Sequence, residues 1–375
     1  MAVDTLYFSR DTKVYIKIGS AIWEVPVLDG FSFSQASNST EVTLAEMEDT
    51  SGASKRGRAM FNDSLAPVEW SFSTYVRPFV SAGSGAGAAD NAANHHAVEE
   101  VLWALMVGDA TYSSYSFTGF TGDTTDLDIA FSSSNKSTLG TADIFFVLGS
   151  GKSNPTVYKC ASAVVNEASM DFDIDGLATI NWSGFASTLT SDSAPTATVY
   201  EDITATDNFI RNRLSVLEIT ANDDTVFPGS GSGVYTLTLT GGNITVSNNI
   251  SYITPEELGV VNSPVGHVTG ARSISGAFTC YLGLDSGTNT GTSTDFFNDM
   301  TSASATAKIT NSFSTTFNIG GNSATPRLEF AMPTAHFEIP AHGIEDVISL
   351  ETNFHGLPST ISGTNEATIK YVGAA

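Results

Sequence analysis

Basic residues are scarce in this chain. Lys and Arg number 16 in 375 residues, against 40 Asp and Glu, which gives a formal net charge of −24. A surface of that sign repels phosphate backbones, so the composition argues against tight nucleic-acid binding through a basic groove. It remains compatible with a surface past which nucleic acid slides without adhering.

Cysteine and long apolar runs are also scarce. Cys160 and Cys280 lie far apart in strand-like segments, which excludes a disulfide scaffold and predicts two buried, reduced thiols. The longest apolar runs, such as IFFVL at 144–148, are too short to cross a bilayer, so we expect no membrane anchor. The segment MAVDTLYFSRDTK lacks the apolar stretch of a secretory signal, which predicts a protein that is cytosolic where it is made.

Patterns typical of catalysis or cofactor binding are incomplete. GSGKS at 149–153 resembles the end of a phosphate-binding loop, but Phe146 stands where that motif has its first Gly, and Asn154-Pro155 replaces the helix start. The adjacent His95 and His96 point apart on a predicted helix, and neither HExxH nor CxxC occurs. We therefore predict no enzyme, no catalytic residue, no metal and no cofactor, although paired carboxylates assembled by folding remain an alternative.

Three aspartates alternate with apolar residues in the segment DFDIDG. Asp171, Asp173 and Asp175 are followed by Gly176, as in the start of an EF-hand calcium loop, but the twelfth position is Trp182 instead of the required Glu. Strict alternation instead predicts a strand with one apolar face and one carboxylate face. A calcium site of less regular geometry remains the alternative.

Five segments recur in the same order in the two halves of the chain, which predicts a duplicated domain. We predict a first β domain at 1–190, a linker at 191–207 and a second β domain at 208–375. The matched segments are 35–47 with 246–258, 66–78 with 274–284, 95–108 with 293–300, 145–160 with 314–330, and 170–185 with 336–357.

Each domain is predicted to be a sandwich or partly closed barrel of antiparallel strands with one flanking helix. The first helix is expected at 95–108, with Val98, Leu102 and Leu105 as its apolar stripe. The second, at 293–300, is expected to be shorter and to begin with Ser293 or Thr294 as its cap. The first domain also carries an insert at 111–140, whose TGFTGDTTDLD portion reads as a loop.

The segment 46–64 is a long loop with patterned charge. Acids precede the densest basic cluster in the chain, and the six residues are Glu46, Glu48, Asp49, Lys55, Arg56 and Arg58. Two interpretations stay open: a solvated loop, or an arm that docks on an acidic neighbour, where the local charge reversal sets the register.

Several of these stretches together resemble the tail tube proteins of tailed bacteriophages. The resemblance rests on WEVPVLDGFSFSQ, the charged loop ahead of APVEWSFSTYVRPF, the helix HHAVEEVLWALM and the hairpin DFDIDGLATINWSGF. It implies a β-sandwich of tail-tube type with a flanking helix, whose sheets join side by side around a channel; type VI secretion tubes are similar. The chain would then be a virion protein that delivers DNA without binding it specifically.

Rings of that family typically show sixfold symmetry, so a duplicated subunit implies three chains per ring, with six as the alternative. The resemblance also implies tape measure and tail-end proteins as partners, and a role for 46–64 in reaching the adjacent ring. Asp171, Asp173, Asp175 and Glu338 become candidate lumen residues, unless they face the exterior and serve solubility. An adhesion or capsid-decorating β-repeat protein is the rival function, and a carbohydrate-active enzyme on a β-sandwich is a second.

Overall fold

The computed structural model describes residues 6–42, 51, 59–108, 110–131, 139–196, 200, 202–203, 206–256, 262–283, 291–321, 323, 326–361 and 363–373. Strands dominate these ranges, which confirms the prediction of a mainly β fold. Most of the strands belong to one large antiparallel sheet system. None of the helices in the described ranges has the length and apolar character needed to span a membrane.

Within the described ranges, fourteen strands lie before residue 192. They are β1 Lys13–Ile18, β2 Ala21–Val25, β3 Ser32–Val42, β4 Ala59–Tyr75, β5 Pro78–Val80, β6 His95–Ala97, β7 Tyr112–Ser113, β8 Ser116–Phe117, β9 Phe120–Gly122, β10 Asp126–Ala130, β11 Ala142–Leu148, β12 Thr156–Asp173, β13 Thr179–Ala186 and β14 Thr188–Ser191. One α-helix, α1, spans Glu100–Val107.

Ten described strands follow. They are β15 Val216–Ala221, β16 Val234–Ser247, β17 Ile250–Ile253, β18 Gly266–Thr269, β19 Ser273–Tyr281, β20 Phe313–Ile319, β21 Arg327–Phe337, β22 Ala341–Gly343, β23 Ser349–Leu357 and β24 Thr368–Val372. The helices here are α2 Ser293–Ser302 and α3 Ala305–Ile309.

The two series of strands show the same order of pairing. Strand β12 pairs with β11 and β14 along its first half and with β13 along its second. Strand β21 pairs with β20 and β24, and then with β23. In the first series, β13 pairs with β4, and β4 pairs with β3. In the second series, β23 pairs with β19, and β19 pairs with β16.

A buried glycine marks corresponding positions in the two series. A Cβ on Gly184 would lie 2.7 Å from the ring of Trp70, and a Cβ on Gly356 would lie 3.1 Å from Cβ of Ile274. Each glycine lies opposite that same residue in the strand ladder. The close approach of neighbouring strands therefore requires Gly at both places.

The central sheet is continuous across both series. Eight strand segments lie side by side in the order β3, β4, β13, the second half of β12, the second half of β16, β19, β23 and the end of β21. The β12–β16 ladder, from Glu167 opposite Ser247 to Asp173 opposite Gly241, joins the two series. One face of this sheet packs on the core and on α1.

The helix boundaries differ from the sequence-based prediction. Residues His95–Ala97 form strand β6, and α1 begins at Glu100. All eight residues of α1 are buried, so its apolar surface extends around the whole helix instead of forming a stripe. Helix α2 is longer than α1, and its cap is Thr292, which forms a reciprocal capping box with Asp295.

In its described residues, 111–131 and 139–140, the predicted insert contains more secondary structure than its composition indicates. The portion read as a loop contains β9 and the start of β10, and β10 pairs along its length with β24, the last strand among the described residues. Tertiary pairing thus overrides the Gly- and Thr-rich local signal. The two cysteines are buried, as predicted, and burial raises the pKa of each thiol to about 12.

Candidate functional site, an acidic sheet face

One face of the eight-segment sheet is open and the other is buried. On β12, Met170 and Phe172 are buried, whereas Asp171 and Asp173 are exposed. On β23 the same alternation places Phe354 in the core and Glu351 on the open face. Because side chains of a strand alternate between faces, the ladder fixes which residues share the open face.

Most side chains on the open face carry hydroxyls, amides or carboxylates. None of the eight strand segments contains Lys or Arg. Side chains on this face contact each other across strands: the hydroxyls of Ser32 and Ser71 are 2.8 Å apart, and the amide of Asn353 donates to Glu338 Oε2 at 2.7 Å. The acids on it are Glu69, Glu167, Asp171, Asp173, Glu338 and Glu351.

The predicted acids do not all occupy equivalent places. Asp171 and Asp173 lie on β12, and Glu338 follows β21, on the same face. Asp175 lies in the turn beyond β12 and pairs with Arg213 at 2.8 Å, with both side chains largely exposed. The repeat in sequence aligns Glu338 with Asp173. In the strand ladders, however, Glu338 lies opposite Asn353 in the same way that Ser169 lies opposite Asn181, so Glu338 corresponds to Ser169.

Three acids of this face escaped the sequence analysis. Glu69, Glu167 and Glu351 stand singly between polar or apolar neighbours and form no motif. The alternation in EWSFSTY and SLETNF was the available signal, but only the strand registers bring these residues to one face. The described residues contain no cluster of His, Cys, Asp and Glu suited to holding a metal ion.

A two-stranded arm projects from one end of the sheet. Strands β3 and β4 stay paired from Ser34 opposite Glu69 to Val42 opposite Ala59, a length of about 25 Å at the usual rise per residue. Met60 and Phe61 are more than 60% exposed on it. The predicted docking residues Glu46, Glu48, Asp49, Lys55, Arg56 and Arg58 lie outside the described residues. Residues 59–64, predicted as the end of that loop, instead form the start of β4, because they pair with β3.

A second concave site lies between the segment 90–100 and the insert. Its cavity of about 460 Å³ is lined by Asp90, His96 and Glu100, among others. His96 is buried, and its two ring nitrogens lie 3.0 Å from Asp90 Oδ2 and 3.0 Å from Glu100 Oε2. Burial lowers the His96 pKa, but the carboxylates of Glu100 and Asp90 outweigh it and raise the pKa to about 9. An imidazolium held by both nitrogens is an ion-pair centre and no proton acceptor.

The last strand is anchored to the first helix by a buried polar chain. The indole of Trp103 donates to the Tyr371 hydroxyl at 2.7 Å, which donates to Glu99 Oε1 at 2.6 Å. Burial raises the pKa of Glu99 to about 7, although the bond from Tyr371 opposes that rise. This chain ties β24 to α1 across the core and is structural in character.

Comparison with known proteins gives a consistent family. The family model of phage tail tube proteins matches residues 37–356. The tail tube protein pb6 of Escherichia phage T5 is 26% identical over 382 aligned positions, which cover 98% of this chain and 76% of that protein. The proteins of this family are structural components of the virion, not enzymes. The match spans most of the described sheet, including β12, β16 and the open acidic face, and on this evidence the chain belongs to the phage tail tube protein family.

Proposed function

We propose that copies of this chain close into rings, that the rings stack into a hollow tail tube, and that phage DNA passes through the channel. The channel wall is the open acidic face of the eight-segment sheet. Its carboxylates, among them Asp171, Asp173 and Glu338, keep the passing phosphate backbone from adhering.

The observation that carries this proposal is the β12–β16 ladder. It joins two sheets edge to edge so that one polar face runs without interruption across the chain. Strand β3 stands at one end of this sheet and the end of β21 at the other. A ring removes both edges by pairing them with neighbouring copies, which is how closed assemblies avoid exposed strand edges.

The repeated pairing order supports two tandem tube-type domains, at 1–190 and 208–375, joined by a linker at 191–207. Three copies of such a chain supply six domains, so we propose a trimeric ring with pseudo-sixfold symmetry. The segment at 46–64, whose last six residues belong to strand β4 of the projecting arm, contacts the adjacent ring. Tape measure and tail-end proteins are proposed partners by resemblance to the family.

Negative-stain microscopy of the purified protein tests the proposal. Uniform hollow tubes or rings are expected, whereas isolated monomers at high concentration would contradict it. The rival adhesion or capsid-decorating protein would bind glycans or shells and leave no end-to-end stacks. Glycan-array binding without rings would favour that rival.

A further inference from the structure

We propose that the edge formed by β21 and β22 is the surface to which strand β3 of a second copy adds, and that the side chain of Asn311 caps this edge in the unassembled chain. The proposal rests on the ring closure proposed above. It adds the strands, their register and the group that has to move.

The edge begins where β20 ends. Strand β20 pairs with β21 as far as Ala335, and on the other side β23 pairs with β21 up to Phe337 and then with β22. Beyond Ala335, the β20 side of this edge has no strand partner among the described residues. Ile339, in the short gap between β21 and β22, is 53% exposed. This part of the edge therefore lacks a paired strand within the described residues.

At Phe337 a side chain takes the place of that strand. The amide of Asn311 donates to Phe337 O at 2.9 Å, and its Oδ1 accepts from Phe337 N at 2.9 Å. The same amide donates to Lys308 O at 2.9 Å, which ties it to the end of α3. Asn311 is 5% exposed. It satisfies both backbone groups of one edge residue, as a paired strand would.

The first half of the chain shows what replaces this cap. Gly184 and Gly356 are corresponding positions, so Trp182 corresponds to Phe354. Ala168 lies opposite Trp182 and Phe337 lies opposite Phe354, and Ala168 therefore corresponds to Phe337. Ala168 also lies opposite Val246 in the β12–β16 ladder. The position that is filled by a strand in the first half is thus filled by one amide in the second.

Strand β3 is the part of a second copy that matches this position. Ser32 lies opposite Ser71 as Thr245 lies opposite Ser275, so Phe33 corresponds to Val246. Among the described residues β3 pairs with β4 alone, which leaves its other edge for a neighbour. If the junction between two copies has the register of the β12–β16 ladder, Glu338 of one copy lies opposite Ser32 of the next, and Phe337 lies opposite Phe33.

Disulfide cross-linking tests the register. The double variant Ser32→Cys with Glu338→Cys places two thiols directly opposite each other across the junction, at a separation that a disulfide spans. Mild oxidation is expected to yield covalent dimers and closed trimers on non-reducing gels. The matched control pairs Glu338→Cys with Asn38→Cys, far from register, and should remain monomeric on the gel. The native cysteines are buried and contribute little background.

Removal of the cap tests the role of Asn311. Asn311→Ala should lower the protein concentration at which assembly begins by several-fold, measured by light scattering, because the edge no longer has to be uncapped. Asn248→Ala is the control, since Asn248 is equally buried and donates to Met106 O and Val165 O away from this edge. If Asn311→Ala fails to fold, Asn311→Asp serves, because it keeps the acceptor for Phe337 N and loses the donor to Phe337 O.

The outcomes separate this inference from the proposed function. If the wild-type chain forms tubes but the Ser32→Cys, Glu338→Cys variant yields no cross-link, the junction is overturned and the tube function stands. The role of Asn311 as a cap would be overturned if Asn311→Ala began to assemble at the same protein concentration as wild type and Asn248→Ala, or at a higher one. A wild-type chain that forms no rings would contradict the proposed function itself.

Discussion

The charge state of His96 affects the stability of the fold. Its folded-state pKa of about 9 exceeds the ordinary value near 6.5 because Asp90 and Glu100 hold both ring nitrogens. A group whose pKa is raised on folding stabilises the protein fully below its unfolded pKa, and that contribution is lost as pH rises through the folded pKa. Glu99, with its pKa raised to about 7 by burial, acts in the same direction between pH 4.5 and 7.

We predict that the free energy of unfolding falls between pH 6.5 and pH 9, with His96 contributing roughly 2–3 kcal/mol of that fall. In His96→Gln the fall over this window should be smaller, and the variant should be less stable at pH 6.5 by about 3 kcal/mol because two buried carboxylates lose their partner. Urea denaturation at several pH values measures both effects. The exposed His355→Gln is the control; an unchanged pH profile in His96→Gln would refute the assignment.

Gly184 tests the close approach of two strands. A Cβ there would lie 2.0 Å from Val164 O and 2.7 Å from the Trp70 ring, so Gly184→Ala forces backbone movement. We predict a loss of about 2–3 kcal/mol in unfolding free energy. Gly151→Ala, where a Cβ meets nothing within 4 Å, is the control and should change stability by less than about 1 kcal/mol. Equal effects of the two substitutions would contradict the packing argument.

At the scale of elements, local pattern predicted strands better than helix ends. Hairpins such as β11–β12 and β20–β21 follow from apolar runs around a Gly-rich turn. The start of α1 could not be read, because His95–Ala97 pairs with β5, a contact that no local window contains. Strands β9 and β10 were missed for the same reason, since β10 pairs with β24 at the far end of the chain and β9 pairs with β10.

The acidic face illustrates the same limit. The alternation around Asp171 and Asp173 was visible in sequence because three acids recur at a spacing of two. Glu69 and Glu351 were not, since they join that face only through ladders between distant strands. Glu338 corresponds in the structure to Ser169, four residues before the Asp173 with which the sequence aligns it. The difference arises from extra residues in the β21–β23 connection, because a sequence match does not show where along the chain such residues are inserted.

The loop at 46–64 gives a prediction at the element scale. Reversing Lys55, Arg56 and Arg58 to Glu should leave a folded subunit that forms rings but no long tubes, because the basic trio no longer docks on an acidic neighbour. Circular dichroism checks folding and electron microscopy measures tube length. The control replaces the same three residues by Gln. Normal tubes from the Glu variant would show that this loop does not connect rings.

For the whole molecule, the proposal makes the channel charge testable. The triple variant Asp171→Lys, Asp173→Lys, Glu338→Lys should still assemble, because these side chains are exposed, but its tubes should retain double-stranded DNA that wild-type tubes release. Retention should fall steeply with added salt. Reversing Glu345 and Asp346, exposed acids of the β22–β23 loop, provides the control. If the triple variant retained no more DNA than this control, the acidic face would not line the channel.

The most direct measurement is a high-resolution cryo-electron microscopy reconstruction of tubes assembled from the purified chain. The account predicts three chains per ring, a wall continuous from β3 of one copy to the β21–β22 edge of the next, and Asp171, Asp173 and Glu338 pointing into the channel. A ring of six chains, or these carboxylates on the outer surface of the tube, would contradict it.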